Sequence, residues 1–98
     1  MSVEEAGNMS LKMAQKLADA ATAAGSDCAK LGTAVIALKP DLVKMLELGK
    51  GFDANPTKKK AFDEQYAEKL QTLITPSMTA MMKCDSNADI KSFLEALR

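Results

Sequence analysis

Apolar residues recur at three- and four-residue steps along almost the whole chain. From about Ser2 to Ala24, the positions Val3, Ala6, Met9, Met13, Leu17, Ala20 and Ala24 share one face of a 3.6-residue helix. Gly25 follows where a left-handed C-cap is usual, and Ser26 or Asp27 offers an N-cap oxygen to the next helix. In the second segment Cys28, Leu31, Val35, Leu38, Leu42, Met45 and Leu46 form a stripe that Pro40 interrupts, so a kink or restart is expected there. Gly49 and Gly51 are expected to close this helix, ahead of the turn-rich interval that leads to Asn55.

Asn55 followed by Pro56 reads as an N-cap and a first helical position. The third segment then runs from Pro56 to Lys83 with Phe62, Tyr66, Leu70, Leu73 and Ile74 on its inner side. Thr75-Pro76 repeats the cap-and-proline signal and predicts a second bend or restart before Met78, Met81 and Met82. Ser86 or Asn87 opens a short fourth helix to about Leu97, carrying Ile90, Phe93, Leu94 and Leu97. The expected fold class is all-α. It is a small antiparallel four-helix bundle with proline-kinked second and third helices joined by a disulfide and a short fourth helix, the 98 residues forming one domain.

The cysteines carry that disulfide expectation. Short connections make successive helices antiparallel, so the start of the second helix and the end of the third fall at one pole. Cys28 and Cys84 occupy those places, equidistant in sequence from Pro56 at the turn between them. Pro40 and Pro76 then lie at nearly the same height, where paired kinks would keep the two helices in contact. An even cysteine count in this mirrored arrangement favours a disulfide and an oxidising compartment over two reduced, buried thiols.

Composition explains why a cross-link matters. The apolar fraction is 47%, but much of it is alanine, and the aromatics are three Phe and one Tyr. Alanine favours helix but fills a core poorly. Thirteen basic and thirteen acidic residues cancel, and Arg98 is the single arginine, which argues against nucleic acid as a partner. No apolar stretch approaches the length of a membrane span. The N-terminal Met-Ser-Val-Glu-Glu lacks the basic and apolar regions of a signal peptide. The chain is therefore read as the mature form of a periplasmic or secreted protein, with a cytoplasmic protein as the alternative.

Candidate chemistry is sparse. With no histidine, Ser-His-Asp and Cys-His nucleophile systems and His-ligated haem are excluded. Two distant cysteines make neither a CxxC redox pair nor a zinc site. No catalytic residue, cofactor or resident metal is expected. Seven methionines are many for this length, and Met78, Met81 and Met82 cluster just before Cys84. They form the expected partner or ligand surface, because flexible thioethers line adaptable grooves and ligate soft metals. The competing expectation is that Met82 is covered by the short fourth helix. Lys58-Lys59-Lys60 reads as a solvated face near Asp53, Asp63 and Glu64, with an acidic partner or an anionic surface as the alternative. The leading functional expectation is a non-enzymatic interaction or structural module of the envelope or secreted fraction. The alternatives are a soft-metal or small apolar ligand carrier with a Met-rich end, and a cytosolic adaptor with free thiols.

Overall fold

The computed structural model describes residues 2–97, with the side chains at positions 52 and 53 outside the description. Its four helices are α1 (Val3–Ala24), α2 (Cys28–Asp53), α3 (Pro56–Lys83) and α4 (Ala88–Ala96), and no strand occurs among the described residues. The termini are set by local chemistry. Ser2 Oγ accepts from the Glu5 amide (3.1 Å), and Glu4 and Glu5 place negative charge on the positive end of the helix dipole. Gly25 ends α1 with φ at 59°, a conformation that strains any residue with a Cβ, and its N–H donates to the Ala21 carbonyl. Asp27 then caps α2 through Lys30 N, and Asn55 caps α3 through Lys58 N with Pro56 behind it.

Helix α2 does not close at Gly49 or Gly51. It continues through both to Asp53, because glycine weakens a helix interior by only about 1 kcal/mol and does not stop it without an opposing cap. The restarts expected at the prolines are likewise absent, since α2 runs unbroken through Pro40 and α3 through Pro76. Both prolines are exposed, so each removes its helical hydrogen bond without placing its ring in the core. Thr75 does not act as an N-cap. Its Oγ1 donates back to the Gln71 carbonyl (2.6 Å), the bonding mode of a threonine inside a helix.

Packing departs from a simple α2/α3 hairpin. Helix α3 leans chiefly on α1, and α4 lies on α2, while α2 and α3 touch least of these neighbours. The expected contact of α2 with α3 along paired kinks is therefore replaced by a shared contact with α1. Gly7 of α1 makes the close approach possible. A Cβ there would collide with the Tyr66 ring, whose neighbour Phe62 stands 5.5 Å away centre to centre.

The core is concentrated at the cysteine pole. Leu31, Val35, Met81, Ile90 and Phe93 are buried toward that end, with Leu17 and Leu42 nearer the middle of the molecule. Among the described side chains, none of α2 beyond Leu42 and none of α3 before Ser77 is buried, and Phe62, Tyr66, Leu70, Leu73 and Ile74 are half-buried. Leu46, expected on the inner stripe, is instead 38% exposed. The molecule is accordingly long and thin, with extents of 41 × 22 × 16 Å. One pole is packed, and the other is a lean assembly of three helix ends.

Candidate functional site

The most organised chemistry lies at the packed pole. Cys28 opens α2 and Cys84 closes α3, and the two meet at disulfide distance with Cα atoms 5.4 Å apart. Such a cross-link removes about 4 kcal/mol of unfolded-chain entropy for a loop of this size in the chain-entropy model. That sum is comparable with the whole stability of a small domain.

Asn87 extends the tie to the fourth helix. Its N–H donates to the Cys84 carbonyl (3.0 Å), and its side-chain amide donates to the Cys28 carbonyl (3.3 Å). Its Oδ1 accepts from Asp89 N (3.0 Å) and Ile90 N (3.2 Å), capping α4. One side chain thus closes α4 while holding it to both cysteine residues. Gly32 makes room for it, because a Cβ at that position would stand 2.5 Å from Asn87 Oδ1. Farther along, Lys39 Nζ donates to Ser92 Oγ (2.6 Å), so α4 runs in the same direction as α2.

That arrangement leaves part of α2 bare. Nine residues of α4 reach about 13 Å, whereas the 26 of α2 reach about 39 Å. Past Lys39 the ridge that faced α4 continues as Pro40, Val43, Leu46 and Glu47, with Val43 40% and Leu46 38% exposed. On the other side of α2, Met9, Met13, Met45 and Leu48 line a groove of about 220 Å³ against α1. Lys12, Lys16 and Lys44 stand at its edge, where Asp41 meets Lys16 at 3.8 Å. Three thioethers converge in this groove, but the surrounding ammonium groups make it an unfavourable place for a cation.

The methionines near Cys84 are not brought onto one surface. Met81 is wholly buried, Met78 is half-buried against the core, and Met82 is 64% exposed by itself. The expected cover of Met82 by α4 does not form, because α4 lies on α2. Lys59 and Lys60 are exposed, as a solvated face requires, while the side chain of Asp53, their expected neighbour, lies outside the described residues. Among the described residues, no three His, Cys, Asp or Glu side chains are placed to hold a metal ion, and no helix is long and apolar enough to cross a membrane.

Sequence reasoning missed Gly32, Asn87 as a three-way tie, and the bare ridge of α2. Asn87 could be read as a cap, but its amide bond to Cys28 lies 59 residues away in sequence. The length difference between α2 and α4 was the available signal for the ridge. No family model matches the chain, and no curated protein or solved structure is significantly similar to it.

Proposed function

We propose that this chain is a non-enzymatic interaction module of the cell envelope or the secreted fraction, docking a partner protein on the part of α2 that α4 leaves uncovered. The observation that carries the reading is the pair Val43 and Leu46, 40% and 38% exposed on one side of α2 beyond the reach of α4. Large apolar side chains gathered on an exposed ridge are a feature of association surfaces. The disulfide pairing supports the compartment, because such bonds persist where thiols are not kept reduced. It also suits a module whose lean core must keep one pole fixed while the other meets a partner.

A photo-crosslinking residue placed at position 46, with a control at exposed Glu64 on α3, tests this in the native host. Adducts at position 46 and few at 64 are expected. No adduct at 46, or equal yields at both positions, would remove the docking face.

A further inference from the structure

The chain exposes more surface than its mass requires. A folded monomer of 10.5 kDa presents about 5,400 Å² on the mass scaling of compact proteins, against 6211 Å² here. The excess of roughly 800 Å² equals what each partner contributes to an interface of standard size. The molecule is elongated, and the part of α2 beyond α4 is one of its exposed surfaces.

We infer that the occupant of this ridge is a second copy of the chain, with α2 packed antiparallel on α2 about a two-fold axis crossing at Val43. An isologous contact must be self-complementary, residue by residue, about that axis. The ridge meets the condition. Val43 falls on Val43 of the second copy. Pro40, three residues before it, falls on Leu46, three residues after it. Lys39, whose ammonium also donates to Ser92 of α4, and Glu47, four before and four after, face each other with opposite charge, and each of these pairs forms twice. Farther out, Ile36 meets Lys50, whose aliphatic stem can cover it while the ammonium stays in water. Formal neutrality of the chain removes the long-range repulsion that opposes pairing of like molecules. A uniformly acidic helix fits less well, because Glu47 would face a like charge.

This pairing rests on the proposed docking face and names its partner. Sedimentation equilibrium from about 10 to 500 µM is expected to show the mass rising from 10.5 kDa toward twice that value. V43E and L46E, at exposed positions, are expected to keep the same circular dichroism spectrum and weaken association by at least about ten-fold. E47K alone and K39E alone should each stay monomeric, since each sets like charges opposite one another in its own dimer. Mixed in equal amounts they should associate, because every charge then meets its opposite.

A wild-type chain that remains monomeric at the highest concentration overturns the pairing. A dimer indifferent to V43E, L46E and E47K overturns it too, and so does a mixture of E47K and K39E that stays monomeric. Crosslinks at position 46 to a different protein would keep the docking face and discard only the second copy as its occupant.

Discussion

Replacing Gly32 by alanine should destabilise the protein, whereas the same change at Gly49 should stabilise it. Both lie in α2, where alanine exceeds glycine by about 0.8–1.0 kcal/mol of intrinsic propensity. At Gly49 a Cβ meets nothing within 4 Å, so the gain is retained. At Gly32 it would stand 2.5 Å from Asn87 Oδ1, an atom held by two amide donors on a side chain that also reaches Cys28. Moving Asn87 away forfeits a cap worth about 1 kcal/mol and an interhelical hydrogen bond worth about as much, with roughly another 1 kcal/mol for crowding. The net effect is a loss of about 1–2 kcal/mol at Gly32 against a gain of about 1 at Gly49. Urea unfolding followed by helical circular dichroism should separate the two variants by roughly 2–3 M in midpoint at a slope of about 1 kcal/mol/M. In an N87A background, G32A should show only the propensity gain, giving a coupling of about 2–3 kcal/mol in the double-mutant cycle. If G32A stabilises as G49A does, or if its effect is the same with and without Asn87, the account of α4 docking is wrong.

Removing the cross-link with C28S and C84S together should lower stability by about 4 kcal/mol, and a loss below about 1 kcal/mol in urea unfolding would contradict its structural role. M81A should cost about 2–5 kcal/mol because the side chain is wholly buried, while M82A should stay within about 0.5 kcal/mol, a contrast readable in one thermal melt series. Ser77 Oγ is buried with no hydrogen-bond partner among the described residues, so S77A should hold or raise the melting temperature; a clear fall would reveal a partner for that hydroxyl. G7A should destabilise by about 1–3 kcal/mol, since its Cβ would collide with the Tyr66 ring, and Y66A should relieve that penalty in a combined variant.

Much of the architecture is legible in the order of residues. Gly25, Asn55-Pro56 and Asn87 mark helix ends because capping is local chemistry, and the cysteine pairing follows from helix lengths on either side of Pro56. The continuation of α2 through Gly49-Lys50-Gly51 was hidden, since punctuation residues there face open space and nothing nearby opposes another turn. Of the kink or restart expected at each proline, the restart is absent because proline on an exposed face removes one helical bond without forcing a break. Ser77 sits on the same stripe as Ile74 and Met81, but a hydroxyl masks a core position in a hydrophobic pattern. The partners of Gly7 and Gly32 come from tertiary placement alone. The bare ridge was invisible to periodicity, because Val43 and Leu46 belong to apolar stripes whether or not another helix covers them.

Fixation of one pole by a sulfur–sulfur bond, leaving the far half of α2 open for association, is tested most directly on protein taken from its own cells. Intact mass measured after alkylation under denaturing conditions without reductant should be unmodified, and should gain two alkyl groups only after reduction. Two alkyl groups added before any reductant would contradict both the tie between Cys28 and Cys84 and the compartment inferred from it.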